Sequence, residues 1–183
     1  MTPDRYAAVA GRSRLLVDAD TVNRAMDRIA AEITRDLAGR DPLVLCLMTG
    51  AVVAVGRLLP RLNFPLRLDY LHATRYRGAT SGGEVTWLHR PSDAVRGQDV
   101  LIVDDILDEG LTLEAAVRAC QEDGAASVRS AVLVEKDRVR ANGLGADYVG
   151  VRVPDLYVYG CGLDYQDYFR NVEGIYAVAP EDV

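Results

Sequence analysis

Val100-Leu101-Ile102-Val103-Asp104-Asp105-Ile106-Leu107-Asp108-Glu109-Gly110-Leu111-Thr112-Leu113 is the stretch from which the fold can be read. Its first four residues are consecutive aliphatics with turn signals on both sides, Gly97-Gln98-Asp99 ahead and an acidic loop behind, and they predict a buried strand over 100–103. From Thr112 onward, Leu113, Ala116, Val117 and Cys120 recur at helical spacing, with Arg118, Gln121 and Glu122 opposite and Gly124 as a stop. The order is strand, loop, helix. In an open parallel sheet ligands bind at the carboxyl ends of strands, and a loop entering a helix offers unpaired N–H groups and a positive dipole end to an anion. Four carboxylates, all within Asp104–Glu109, share that edge.

Carboxylates repel phosphate, so the edge divides its labour. Backbone N–H groups around Gly110 suit a phosphate, while Asp104 and Asp105 suit sugar hydroxyls or Mg²⁺. Gly110 allows a tight loop that a side chain would crowd, and Thr112 adds a hydroxyl at the helix start. An aspartate pair alone would only end a strand and cap a helix. Asp108, Glu109, Gly110 and Thr112 in the same turn favour a site.

Working outward, Asp18 or Asp20 caps a helix whose apolar positions are Val22, Met26, Ile29, Ile33 and Leu37, with Gly39 at its end. Leu43–Met48 is an all-apolar strand broken by Thr49-Gly50, and Val52, Val55, Leu58, Leu59 and Leu62 stripe a helix over 51–62. Leu66–Ala73 predicts another strand. Residues 74–83 form a polar, glycine-rich segment expected to be mobile when the site is empty, and Glu84–Arg90 is the return strand before a turn at Pro91-Ser92-Asp93. Downstream come strands at Ser127–Glu135 and Asp147–Val153, a loop-like aromatic tail over Pro154–Asn171, and a closing strand within Gly174–Ala179. Strands alternating with helices define the α/β class, a mostly parallel twisted sheet with helices on both faces.

Bulk properties narrow the field. A chain of 183 residues suits a single domain, and 49% hydrophobic with 26% charged residues is an ordinary folded composition. The formal charge of −6 argues against nucleic acid or an anionic membrane as partner. Met1-Thr2-Pro3-Asp4-Arg5 is polar and no apolar run approaches the ~20 residues of a membrane span, so a cytoplasmic location is expected. Cys46, Cys120 and Cys161 are far apart and lack CxxC spacing, and read as buried free thiols.

Val100–Leu113 resembles the phosphoribosyl-pyrophosphate-binding motif of the type I phosphoribosyltransferases, and within them most resembles the hypoxanthine-guanine enzymes. The resemblance extends over roughly residues 40–179. It includes the Met48-Thr49-Gly50 turn, the segment near Tyr76, Leu133-Val134-Glu135-Lys136, Val153-Pro154-Asp155-Leu156-Tyr157-Val158, Gly162-Leu163-Asp164-Tyr165 and Tyr168-Phe169-Arg170. It implies one domain over 1–183, with a small hood made by the N- and C-terminal segments. The implied reaction moves the 5-phosphoribosyl group from 5-phosphoribosyl 1-pyrophosphate to N9 of hypoxanthine or guanine, with Mg²⁺, giving IMP or GMP in purine salvage. A homodimer or homotetramer is implied as well.

By the same resemblance, Asp104 and Asp105 bind the ribose hydroxyls, directly or through Mg²⁺, and Asp108, Glu109, Gly110, Leu111 and Thr112 form the 5′-phosphate loop. Asp108 faces N7 of the purine as general acid/base, Lys136 donates to O6, Tyr157 stacks on the base and the backbone of Val158 meets its far edge. Asp164 binds the Mg²⁺ on the pyrophosphate, which Arg170 and the Thr49-Gly50 turn grip. Three positions depart from the family pattern: Thr49 stands where many relatives have lysine, Glu109 where a small hydroxyl residue is usual, and Arg75-Tyr76 where Ser-Tyr is usual. Arg75 is a candidate to offset the missing lysine.

Alone, Lys136 before Asp137-Arg138 reads as a solvated charge at a strand end, and Tyr157 among Tyr159, Tyr165 and Tyr168 as packing. His72 and His89 read as packed or solvent-facing. Two rivals stand beside the enzyme. A non-catalytic nucleotide-binding regulator would share the fold, and Leu101-Ile102-Val103-Asp104-Asp105 also resembles the acidic pocket of phosphorelay receiver domains, whose acidic pair ends the first strand.

Overall fold

The computed structural model describes residues 1–75, 85–90 and 92–183, without the side chains of Thr74, Arg75 and Ser92. The chain opens with α1 (Pro3–Arg12) and β1 (Arg14–Val17), and then enters α2 (Ala19–Leu37). Asp18 caps α2 by accepting the Thr21 N–H at 2.7 Å, and Val22, Met26, Ile29, Ile33 and Leu37 are its buried stripe, as the periodicity requires. Next come β2 (Leu43–Met48), α3 (Val52–Leu58), β3 (Arg67–Arg75) and β4 (Val85–His89). The expected helix over 51–62 is shorter, because a 3₁₀ turn at Leu59–Arg61 takes over where Pro60 has no N–H to donate. Where a turn was expected after Pro91, the short α4 (Ser92–Val95) forms instead.

The deciding stretch becomes β5 (Asp99–Leu107) and α5 (Leu111–Glu122), followed by β6 (Ser127–Asp137), β7 (Tyr148–Pro154), β8 (Val158–Tyr159) and β9 (Ile175–Ala177). One correction follows. The strand does not stop at Val103: pairing with β6 continues through Asp104↔Val132 to Leu107↔Glu135, and this ladder overrides the poor strand preference of aspartate. Pairing with β2 does end, at Cys46↔Val103. From Asp104 onward β5 therefore stays on β6 and leaves β2.

The main sheet has the order β4-β3-β2-β5-β6-β7, parallel throughout except for β4, which runs against β3. β2 and β5 are neighbours, yet the chain moves outward from β2 to β3 on one side and from β5 to β6 on the other. That makes their carboxyl ends the topological switch point, where open α/β sheets take ligands. An acidic pair on the fifth strand of the chain is not the receiver-domain arrangement, so that rival falls.

A second sheet, β1-β9-β8, is antiparallel and joins the two ends of the chain, which is the expected hood. Neither α1 nor β1 was legible in the sequence, and β8 lies inside the tail read as loop. The hood has its own apolar cluster of Val9, Tyr159, Tyr165, Phe169 and Val178, and Tyr6 stacks on Phe169 at 3.9 Å. Arg12 of α1 holds both carboxylate oxygens of Asp182, at 2.9 and 2.6 Å. The three cysteines are buried free thiols.

Candidate active site

Three backbones converge at the switch point. The turn Thr49-Gly50 leaves β2, Asp105 stands in β5, and Gly162 comes from the hood. A Cβ at Gly50 would collide with the Asp105 carboxylate, and one at Gly162 with the Gly50 carbonyl. Gly110 caps α5 with φ +82°, the left-handed conformation that only glycine adopts at little cost. The first N–H groups of α5 have no partner within the helix, so the loop ends in a cradle of donors. Leu111 is exposed there and Thr112 half-buried.

Asp104 and Asp105 are adjacent carboxylates with little access to water. Asp104 Oδ1 accepts the Asp105 N–H at 2.8 Å. Burial, and after it the charge of Asp105, pushes the Asp104 carboxyl well above the usual range. Burial raises Asp105 too, against the hydrogen bond to Asp104 and the positive charge of Arg170, with Asp164 adding repulsion. Asp105 is thus within electrostatic reach of Arg170 and Asp164. Those two form an ion pair at 2.7 Å, Arg170 also donates to the Gly162 carbonyl at 2.7 Å, and Asp164 Oδ2 accepts the Asp167 N–H at 2.9 Å. Their loop carries left-handed Cys161, Gln166, Asp167 and Phe169, a conformation that side chains seldom adopt and that no sequence period announces.

A second charge cluster forms where β5, β6 and β7 end side by side. Lys136 Nζ donates to Asp108 Oδ2 at 2.7 Å, and Arg138 Nη1 to Asp108 Oδ1 at 2.6 Å. Asp155, just past β7, lies 3.6 Å from Lys136 and 3.7 Å from Arg138. Burial would raise the Asp108 carboxyl, but the hydrogen bonds and charges of Lys136 and Arg138 outweigh it and hold the group below its usual value. It is a carboxylate at neutral pH. Glu109 is exposed, and its negative charge favours the Arg138 guanidinium.

Behind this cluster is Arg140, which the sequence reading missed. Its guanidinium donates to the carbonyls of Asp108 at 2.8 Å, Leu107 at 2.9 Å and Lys136 at 2.8 Å, and to Glu135 Oε1 at 3.1 Å. Arg152 holds the other oxygen of Glu135 at 2.8 Å. Arg140 therefore ties the chain at Asp108 to the chain at Lys136. The available signal was the spacing of Lys136, Arg138 and Arg140, every second residue from the end of a strand onward.

The remaining expectations divide. Tyr157 is half-exposed, with its ring 5.5 Å from that of Tyr165, and the Val158 side chain is buried while its backbone pairs β8 with β9. Thr49 is exposed beside Gly50. Arg75 ends β3, its side chain lies outside the described set, and Tyr76 with the rest of the segment expected to be mobile lies outside the described residues. Of the two histidines, His89 stacks on Tyr70 at 4.1 Å.

An acidic pair on the switch-point strand, followed by a left-handed glycine and a helix N-terminus, beneath a hood of the two chain ends, defines the type I phosphoribosyltransferase fold. Residues 16–166 match the phosphoribosyl transferase domain family. The hypoxanthine-guanine phosphoribosyltransferase of Bacillus subtilis strain 168 is 31% identical over 91% of this chain and 93% of its own. The solved hypoxanthine phosphoribosyltransferase of Trypanosoma cruzi, in complex with the product IMP, is 31% identical with a TM-score of 0.84, over 92% of this chain and 95% of that one. The bifunctional TilS/HprT protein of Listeria innocua is 35% identical over 92% of this chain, which spans only 26% of that longer protein. The chain belongs to the phosphoribosyltransferase family.

Proposed function

We propose that this chain is one phosphoribosyltransferase domain that transfers the 5-phosphoribosyl group from 5-phosphoribosyl 1-pyrophosphate to N9 of hypoxanthine or guanine, in purine salvage. The observation that carries the purine half is the Asp108–Lys136 pair at 2.7 Å, an acceptor and a buried donor fixed at adjoining strand ends. A 6-oxopurine offers N7–H and O6 along one edge. Lys136, with donors and no acceptor, suits O6, and the ionised Asp108 suits N7–H. Tyr157 and the Val158 backbone would bound the base, and the donors from Asp108 to Thr112 would take the 5′-phosphate.

As the N9 lone pair bonds to C1, the C1–O bond breaks with its electrons on pyrophosphate, and the N7 proton passes to Asp108. Arg170 and the Thr49-Gly50 backbone would receive the leaving anion, while Asp104 and Asp105 would hold the ribose hydroxyls. The donor set suits Mg²⁺. Asp104, Asp105 and Asp164 present carboxylate oxygens, the hard donors that Mg²⁺ takes. Bound by those residues, Mg²⁺ would neutralise charge on the pyrophosphate.

No helix among the described residues is long and apolar enough to cross a membrane, and three buried free thiols support a reducing, cytoplasmic setting. Exposed Leu68, Tyr70 and Leu88 on β3 and β4 support association with further copies of the chain; sedimentation as a monomer would remove that part. The test of the activity is a panel of purine and pyrimidine bases with the activated sugar and Mg²⁺, following pyrophosphate. Release is expected with 6-oxopurines. No release with any base overturns the reading.

A further inference from the structure

Asp108 carries one cation more than base recognition needs. Lys136 holds Oδ2 from a buried position, its side chain 10% exposed, whereas Arg138 holds Oδ1 from the solvent side at 33% exposure. Arg138 also has a second carboxylate within reach, Asp155 at 3.7 Å, itself 44% exposed, and its backbone is held by donation to the Lys136 carbonyl at 2.9 Å. The exposed Glu109, which departs from the family pattern, adds negative charge around the same guanidinium.

We propose that Arg138, which holds Asp108 Oδ1, is a positioning residue that hands Asp108 over to the purine N7–H by moving to Asp155. The inference rests on the proposed function and deepens it. Arg138 is already paired with Asp155 as well as with Asp108, so leaving Asp108 costs it one of two ion pairs, and a half-exposed pair is a weak latch. While latched, the carboxylate is kept ionised and aimed. The groups that face it are Lys136 near the end of β6 and Arg138 just after it, with Asp155 past β7 opposing both cations, Glu109 beside it in the chain, and Arg140 on its backbone carbonyl. Once Arg138 leaves, Asp108 keeps only Lys136. It then becomes the stronger base at the moment when the N7 proton must move to it and N9 bonds to C1.

The experiment measures kcat and KM for hypoxanthine across the acid limb in the wild type, Arg138→Ala and Arg138→Lys, with saturating sugar and Mg²⁺. A carbon-13 titration of the Asp108 carboxyl in the ligand-free proteins accompanies it. For Arg138→Ala, KM should fall about two- to five-fold, the fold-change equivalent of a half-exposed ion pair. Both the acid limb of kcat/KM, which reports the free enzyme, and the Asp108 midpoint should move to higher pH, with Arg138→Lys restoring part of each. Unchanged KM and midpoint overturn the proposal. So does a raised KM with an unmoved acid limb, the signature of a merely structural arginine. If the wild type turns over no base the functional reading fails, and an unmoved carbon-13 midpoint separately refutes the latch.

Discussion

Asp108 and Lys136 divide one hydrogen bond between two tasks. The Lys136 ammonium holds the Asp108 carboxylate ionised, and in the proposed reaction the same two groups would face O6 and N7. Replacing Asp108 with asparagine keeps the shape and removes the proton acceptor. Asp108→Asn should therefore lower turnover by about 10²–10⁴-fold at saturating base, read from pyrophosphate release. Retained turnover would remove Asp108 from proton transfer. Lys136→Ala deletes the buried donor, so the preference for hypoxanthine over adenine should collapse in a competition assay. An unchanged ratio would place base selection elsewhere.

At the scale of elements, the switch point depends on an absent side chain. Gly50 lets the turn after β2 lie against the Asp105 carboxylate, and Gly50→Ala forces one of them aside. The expected outcome is a raised KM for the activated sugar with KM for the base little altered, measured by varying each substrate. Equal effects on both would mean that the turn serves the whole site. Much of this scale was legible. Leu43–Met48 is an uninterrupted apolar run and is β2 residue for residue, and Asp18 announces α2 because a cap needs only local chemistry. The last four residues of β5 were not, since aspartates within a strand make sense only beside the β6 ladder. Asp164 and Arg170 carry no period either, and meet only because left-handed residues fold their loop back. Arg140 was hidden for a related reason: its partners are mostly backbone carbonyls, which have no sequence signature.

Across the whole molecule, two apolar clusters divide the work. The larger lies around the main sheet, and the smaller, centred on Tyr159, Tyr165 and Phe169, ties α1 and the chain's far end to the loop that holds Arg170. Phe169 is 1% exposed between Tyr6 and Tyr159. Phe169→Ala should cost about 3–5 kcal/mol in urea unfolding, as large core aromatics do. It should also weaken pyrophosphate inhibition, because Arg170 is its neighbour in the chain. A loss of stability without that second effect would separate the hood from the proposed pyrophosphate site.

The touching glycines have a bearing on redesign. Gly162 brings the hood against the Gly50 carbonyl, so it cannot take a side chain without parting the two layers, and a side chain at Gly50 would displace the Asp105 carboxylate. Thr49, next to that seam, is exposed. Charge at the turn proposed to face the leaving group is therefore an adjustable setting on a fixed mount: randomising position 49 alone, with both glycines held, would sample electrostatics while the frame stays the same.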